Sequence, residues 1–329
     1  MRFGIILSSD HQDGVSSPQA LSDQLAKARV AQESGFHSVW AGPGYLHGGW
    51  HSAVLLARVC AEAPQLDVGM ISLLPLHHPV ELAEQIATLD TICNGRLTLA
   101  VALGWRDFQF RAFGIPQTQR LGRFRETLEV MQKLWTQERV THHGAHFHLD
   151  EVPGARQPLQ QPTPQLWIAA NQDPGVIRAA KTAAGWLVSS RSTVETIERQ
   201  VQLYQTTLSE VERTGYVAAW REMYVAEDRA EAIRLIQPYV ERLYQNRAAM
   251  GHNRDLPNAD RIDVGFEQVL ADRFILGSPS DCIAEIERYR QLGVQELIVR
   301  CQWPGMPGES TLAAIRRFGQ DVLPRFATV

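Results

Sequence analysis

Residues 66–105 read LDVGMISLLPLHHPVELAEQIATLDTICNGRLTLAVALGW. The apolar run 66–74 predicts a buried strand, and Pro79 stands at the position where proline commonly opens a helix. Asn94-Gly95 predicts the end of that helix, and the run 97–103 predicts a second strand. A strand, a helix and another strand over this length are typical of a right-handed crossover between parallel strands.

The same alternation continues along the rest of the chain and predicts eight short strands, each followed by a helix. The predicted strands are 3–7, 37–40, 66–74, 97–103, 165–170, 186–189, 217–225 and 296–301. This pattern fits either a closed barrel or a doubly wound sheet. The first strand is not followed by G-x-G-x-x-G, which counts against a dinucleotide-binding doubly wound sheet. We therefore predict an α/β fold, a (β/α)₈ TIM barrel with insertions after strands 4 and 7.

The first insertion contains residues 140–149, whose alternating polar and apolar side chains predict a hairpin. The second lies in 251–268, an irregular stretch after a predicted helix over 228–250. No shift in composition marks a second folding unit. We expect one domain over residues 1–329.

Composition excludes several classes of partner. The 32 basic and 36 acidic residues leave a formal charge of −4, which argues against nucleic acid. No apolar stretch reaches the roughly 18 residues that a membrane helix needs, and no basic run suits an anionic membrane surface. The four cysteines lie far apart without a C-x-x-C pair, which fits a reduced cytoplasm. We expect a cytoplasmic protein.

In a barrel of this class the active site lies on the loops after the strands. Gly104-Trp105 follows strand four, where a glycine permits close backbone approach and an indole offers a flat wall. Ala170-Asn171 follows strand five and precedes a helix, an arrangement that suits an anion. Ser189 follows strand six. A packing tryptophan, a helix cap at Asn171 and a capping serine are the structural alternatives.

Other loops leave two interpretations open. Residues 75–79 (PLHHP) are either a rigid wall of a cofactor pocket or a loop that opens a helix. The loop with Trp303 and Met306 either lines a substrate pocket or closes the barrel. His146 and His148 fall on one strand face, but nothing else in the stretch resembles a ligand set, so we expect no metal.

Taken in order, several motifs resemble the luciferase-like monooxygenase family, and the likeness spans nearly the whole chain. The motifs are Val68-Gly69, Pro75-x-x-His78-Pro79, Leu89-Asp90, Asn94-Gly95-Arg96-Leu97, Gly104-Trp105-Arg106, Phe113-Gly114, Gln165-Leu166-Trp167-Ile168-Ala169-Ala170, Gly185-Trp186-Leu187, Phe274-Ile275-Leu276-Gly277-Ser278-Pro279 and Trp303-Pro304-Gly305.

The resemblance implies a dimeric barrel that binds FMN or a deazaflavin coenzyme. It implies a non-prolyl cis peptide bond near Ile71-Ser72 against the flavin ring. It also implies phosphate contacts at Ala170 and Asn171, with Ser189 near the ring or the ribityl chain.

The chain departs from the family pattern at two places that matter for chemistry. After strand two, Ala41-Gly42-Pro43-Gly44-Tyr45 replaces an acidic residue and a histidine pair, so the usual base is absent. His47 or His11, both on mouth loops, could supply the proton transfer, although a structural role is the alternative. Leu103 replaces an arginine, so Arg120 or Arg123 would have to meet the phosphate charge. Light emission is not implied.

Three functions remain open at this point. The first is an FMN-dependent monooxygenase, which uses reduced FMN from a separate flavin reductase, together with O₂, on a small organic substrate. The second is a deazaflavin-dependent dehydrogenase or reductase that transfers hydride. The third is a non-catalytic flavin-binding barrel.

Overall fold

The computed structural model of the chain describes residues 1–7, 16–46 and 49–326. Its strands are β1 (Arg2–Leu7), β2 (Ser38–Ala41), β3 (Asp67–Leu73), β4 (Leu97–Ala102), β5 (Arg139–His143), β6 (His148–Pro153), β7 (Gln165–Ala169), β8 (Gly185–Val188), β9 (Tyr216–Val225), β10 (Phe274–Gly277) and β11 (Glu296–Arg300). Its α-helices are α1 (Ser17–Glu33), α2 (Ser52–Glu62), α3 (Pro79–Ile92), α4 (Asp107–Ala112), α5 (Arg120–Thr136), α6 (Asp173–Thr182), α7 (Val194–Glu210), α8 (Arg229–Ala249), α9 (Phe266–Arg273), α10 (Pro279–Gln291) and α11 (Gly308–Asp321).

Eight parallel strands close into a barrel. Their order around the ring is β1, β2, β3, β4, β7, β8, β9 and β11, and β11 pairs again with β1. Closure leaves no open edge, which excludes the doubly wound sheet that the alternation alone allowed. The predicted (β/α)₈ barrel is confirmed.

The two insertions lie where they were predicted. After β4 the chain forms α4, α5 and the antiparallel hairpin β5–β6, which contains the predicted hairpin segment. After β9 it forms α8, two short 3₁₀ turns and α9 before β10. No described helix is both long and apolar enough to span a bilayer.

A ninth strand, β10, was not predicted. It pairs with the carboxyl half of β9, from Phe274 opposite Glu222 to Gly277 opposite Val225, while β8 pairs with the amino half. It follows α9 directly, with no glycine or proline between them to mark where a strand begins. It returns the second insertion to the barrel wall.

Large aromatic rings fill the middle of the barrel because glycines stand beside them. The rings of Trp40 and Trp167 stack at 5.2 Å between centroids, and Trp167 stacks on Tyr216 at 5.1 Å. A Cβ at Gly69 would lie 1.9 Å from the Trp40 ring, and one at Gly185 would lie 2.6 Å from Trp167. Interior side chains of a barrel come from alternate strands in layers, so a missing side chain on one strand makes room for an indole on its neighbour.

The layer below these rings is polar. The buried carboxylate of Glu296 accepts hydrogen bonds from Ser38 Oγ at 2.5 Å and from the Tyr216 hydroxyl at 3.3 Å. Burial raises the pKa of Glu296 above its usual value. This layer lies at the amino ends of the strands, the face that serves stability in such barrels.

The expected cis peptide bond near Ile71-Ser72 is wrong. The cis bond in the described residues is Gln161–Pro162. Strand β3 keeps an unbroken parallel register with β4 through Ile71, Ser72 and Leu73. A trans backbone is what such a regular ladder requires, and it leaves Ser72 facing away from the barrel interior.

We predict that Gly69→Ala lowers the free energy of unfolding by about 3 kcal/mol, because its methyl group would overlap the Trp40 ring. Urea denaturation followed by tryptophan fluorescence measures the change. Gly308→Ala is the control, since its Cβ would meet only ordinary contacts with Asp23 at 3.7 Å or more. Equal stability of the two variants would contradict the packing described above.

Candidate functional site

A cavity of about 440 Å³ opens at the carboxyl ends of the barrel strands. Its floor is the uppermost interior layer of the barrel: Ile71, Ala102, Ala169, Leu187 and Trp220. These side chains come from five different strands, so closure of the barrel is what brings them together. The volume lies in the range of about 300–1,000 Å³ that small-molecule sites occupy.

The predicted cofactor-binding residues, except Ser72, line this cavity. They are Ile71, Gly104, Trp105, Arg120, Ala170, Asn171 and Ser189. Ser72 is 1% exposed and lies on the opposite face of β3, because successive side chains on a strand point to opposite sides.

The corner after β4 depends on Gly104. Its φ of 75° lies in the left-handed region, where a side chain costs about 1 kcal/mol. This turn lets the Gly104 carbonyl accept a hydrogen bond from Arg120 Nη1 at 3.1 Å. The Trp105 carbonyl likewise accepts one from Gln117 at 2.9 Å. The corner is therefore held by the segment that leads into α5.

Trp105 is also held from the far side of the mouth. Its ring stacks on His252 with centroids 3.8 Å apart and planes 16° apart, and the Arg106 guanidinium lies 4.8 Å from the same ring. Burial, followed by the charges of Arg191 and Arg247, lowers the pKa of His252 well below its usual value, so the imidazole is neutral. Sequence reasoning missed His252, since it stands in an irregular stretch with no motif.

The first turn of α6 forms another wall. Pro174, Gly175 and Arg178 line the cavity at the i, i+1 and i+4 spacing that shares one helix face. A Cβ at Gly175 would lie 2.7 Å from the Ala170 Cβ, so glycine lets the helix start against the end of β7. The positive end of the helix dipole favours an anion at this wall.

Asp173 does not oppose that charge. Its carboxylate is held by Arg199 at 2.7 and 2.8 Å and by Gln200 at 3.0 Å. The Arg199 hydrogen bond lowers the pKa of Asp173. The carboxylate is therefore neutralised by α7 and is absent from the cavity lining.

The cations nearest to this wall are Arg120 and Arg178. The Arg178 guanidinium lies 5.8 Å from the Phe124 ring, and burial lowers its pKa. Arg123, the other candidate for a phosphate, instead donates to the Pro75 carbonyl at 2.9 Å and packs on Phe147. Arg178 was missed because only its place one turn into α6, on the face of Pro174, could have indicated it.

A second cationic group lies across the cavity, in the loop after β8 and at the end of β11. Arg191 and Trp220 line it, and the Arg300 guanidinium lies 4.7 Å from the Trp220 ring. Ser189 stands at the same end, where its hydroxyl accepts a hydrogen bond from the Arg191 backbone N–H at 3.2 Å. The described lining residues include no carboxylate and no imidazole.

The 75–79 loop and the loop that contains Trp303, each with two interpretations from the sequence, do not line the cavity. In the 75–79 loop, His77 is hydrogen-bonded to the Tyr45 hydroxyl at 3.1 Å, and His78 packs against Phe147. Trp303 is fully buried and donates to Glu222 at 3.0 Å, which fits the interpretation of a plug that closes the barrel.

The hairpin histidines have carboxylate partners. Nε2 of His142 lies 3.1 Å from Glu126, and His143 pairs with Asp150. Across the part of the chain that the structure describes, no cluster of three or more histidine, cysteine, aspartate or glutamate side chains could hold a metal ion. His11 and His47, the predicted proton-transfer residues, lie outside the described residues.

Comparison with known families gives one match over most of the chain. A family model described as luciferase-like monooxygenase matches residues 1–296. The oxygenase component of a flavin-dependent trigonelline monooxygenase from Acinetobacter baylyi is 22% identical, over 99% of this chain and 96% of its own length. An F420-dependent glucose-6-phosphate dehydrogenase from Kineococcus radiotolerans is 27% identical, over 94% of each chain.

Solved structures show the same fold. The monooxygenase RslO1 from Streptomyces bottropensis superimposes with a TM-score of 0.89 at 24% identity, covering 99% of this chain and 100% of its own. The oxygenating constituent of 3,6-diketocamphane monooxygenase from Pseudomonas putida, solved in complex with FMN, has a TM-score of 0.82 at 18% identity, covering 99% and 98%.

We predict that His77 makes the protein less stable in mild acid. Burial lowers the folded-state pKa of His77 to about 4 from 6.5. Between these values the unfolded chain binds the proton and the folded chain does not, so stability falls as pH decreases through this window. The loss from pH 7.5 to 4.5 is about 2 kcal/mol.

Urea denaturation at both pH values tests this, with His77→Gln as the matched variant, because glutamine keeps a hydrogen-bonding group near Tyr45 without titrating. The variant should lose less stability than the wild type on acidification. An identical loss of stability in both proteins would mean that a group other than His77 titrates in this pH range.

Proposed function

Because this chain belongs to the luciferase-like monooxygenase family, we propose that it is the oxygenase component of a two-component system. In this proposal it takes reduced FMN from a separate flavin reductase and uses O₂ to oxygenate a small organic substrate. The observation that carries the proposal is the convergence of Ile71, Gly104-Trp105, Arg120, Ala170-Asn171 and Ser189 on one cavity at the carboxyl rim. An oxygenase component from Acinetobacter baylyi that aligns over 99% of the chain supports it.

The chemistry of the lining fits a flavin mononucleotide. An apolar floor beside the Trp105 indole suits a flat tricyclic ring, which gains by leaving water. Arg120 and Arg178, beside the first turn of α6, suit a phosphate dianion. Gly175 lets α6 begin close against Ala170, which brings the first turn of the helix to this wall. The cationic wall at α6 beside the apolar floor matches a ligand with a flat ring and a charged tail.

In the proposed mechanism, bound reduced FMN would supply the electrons that activate O₂. The chain's residues would orient the ring between the Ile71 floor and Trp105, and hold the tail at Arg178 and Arg120. The Trp105–His252 stack across the mouth would exclude water from the reacting end. His252 is neutral and packed on the indole, so it would act as a lid residue that orients Trp105.

Proton transfer is proposed to fall to a hydroxyl or a mouth histidine. Among the described lining residues, Ser189 offers the hydroxyl at the end opposite Arg178. His47 and His11 stay proposals for the same role. His47→Gln and His11→Gln, with the pH dependence of the rate as the readout, would show which histidine transfers the proton.

The second candidate is hydride transfer by a deazaflavin. It is favoured by the Kineococcus dehydrogenase, which is named F420-dependent and is more identical to this chain than the Acinetobacter oxygenase is. The same floor and rim would serve either ring, since both are flat tricycles. What separates the two candidates is whether the bound reduced cofactor reacts with O₂.

We predict that the protein binds reduced FMN at least about tenfold more tightly than reduced F420. Anaerobic titration of each cofactor, followed by oxygen uptake on mixing with aerated buffer and a panel of small organic substrates, measures this. Tighter binding of F420 without substrate-dependent oxygen uptake would contradict the oxygenase proposal and support hydride transfer.

We predict that Arg178→Gln weakens FMN binding about tenfold and leaves riboflavin binding unchanged, because riboflavin lacks the phosphate. Flavin fluorescence quenching measures both affinities. Arg316→Gln is the control, since Arg316 is exposed on α11 and does not line the cavity. Equal losses of affinity for FMN and riboflavin would show that the phosphate does not bind at this wall.

A further inference from the structure

The end of the cavity farthest along the ring from β4 holds cations that the proposed cofactor does not need. Arg191 follows β8, and Arg300 closes β11 with its guanidinium over Trp220. Arg120 and Arg178, on α5 and α6, already provide charge for a phosphate. The charges that act on Arg191 include those of Arg247, Tyr244, Arg300 and Glu222.

Several donor atoms in this group have no hydrogen-bond partner among the residues that the structure describes. They are Nε of Arg191, Nε and Nη1 of Arg300, and Nε1 of Trp220, and all of them are buried. Arg300 is 4% exposed as a residue, so water does not satisfy it from the surface. A buried donor without an acceptor costs about 1–3 kcal/mol, and more when it is charged. Two of these donors, Nε of Arg191 and Nε1 of Trp220, belong to side chains that line the cavity, and they indicate that an acceptor belongs at this end of it.

The carboxylate nearest to these cations is Glu222, which has one oxygen engaged and the other without a hydrogen bond among the described residues. Glu222 accepts a hydrogen bond from Trp303 at 3.0 Å, and its other oxygen lies 3.6 Å from Arg300 Nη1. That distance makes an ion pair but not a hydrogen bond. Burial and the like charge of Arg247 lower the pKa of Arg191 to about 9, so it remains a cation at neutral pH. Glu222 therefore leaves Arg191 without a direct carboxylate contact.

We propose that this end of the cavity is the substrate site and that the substrate is a small organic carboxylate bound by Arg191 beside Trp220. The proposal rests on the proposed function, since it assumes that the cofactor occupies the floor and the Arg178 wall. Arg300 would add charge from behind the indole and position Trp220, without touching the substrate. Guanidinium groups suit carboxylates because their donors match both oxygens.

The test compares carboxylates with their own amides as probes. The pairs are benzoate and benzamide, nicotinate and nicotinamide, and cyclohexanecarboxylate and its amide. Calorimetric titration of the full-length protein, with and without FMN, gives each affinity. We expect at least one carboxylate to bind at least about tenfold more tightly than its amide, because a charge-assisted hydrogen bond is at stake.

Arg191→Gln should abolish that preference and leave amide and FMN affinities unchanged, whereas Arg191→Lys should keep part of it. Thermal unfolding separates this role from a structural one. Since Arg191 is a buried cation near others, Arg191→Gln should keep or raise the midpoint. The backbone contact that its carbonyl accepts from Arg273 at 2.7 Å is unaffected.

The outcomes distinguish the two proposals. No preference for any carboxylate over its amide, with normal FMN binding, would overturn this inference alone. Loss of FMN affinity in Arg191→Gln would also overturn it, because Arg191 would then hold the cofactor. A carboxylate preference that depends on Arg191 in a protein that does not bind FMN would support this anion site and count against the proposed cofactor.

Discussion

The site depends on how indole rings fit inside the barrel. Trp40 and Trp167 occupy the middle of the ring of strands because Gly69 and Gly185 leave the space that their neighbours' side chains would fill. The stack separates a polar layer around Glu296 at the amino ends from the open cavity at the carboxyl ends. An interior packed at this density gives the cavity a rigid floor. The floor residues are therefore placed by the strands.

The rim shows why much of the fold and part of the site were predictable. Short apolar strands separated by helices allowed few topologies, and the missing dinucleotide fingerprint favoured the closed one. Once the barrel is accepted, residues just after a strand lie at one rim, and this rule alone brought Trp105, Asn171 and Ser189 together. The resemblance, which placed both Ile71 and Ser72 against the flavin ring, was less precise: Ile71 reaches the cavity and Ser72 does not, because strand side chains alternate.

The remaining site residues could not be predicted because contacts between distant segments place them. Arg178 lies inside a helix, and only the close approach of Gly175 to Ala170 turns its face toward the cavity. His252 comes from an irregular stretch, and its contact with Trp105 joins residues far apart in sequence. Arg300 is the buried last residue of β11, where the sequence pattern indicates only burial. Strand β10 continues directly from α9, so the sequence carries no signal that marks where the strand begins.

The contact between Trp105 and His252 belongs to a roof over the cavity, which is built differently from the floor. The floor is built by the barrel, whose strands cannot change without loss of packing. The roof is built by two excursions that leave the barrel after β4 and after β9 and meet above it. Evolution could exchange the roof for another of similar span while the base stays as it is. A different reaction could then arise on the same barrel when the insertions after β4 and β9 are replaced and the floor is kept.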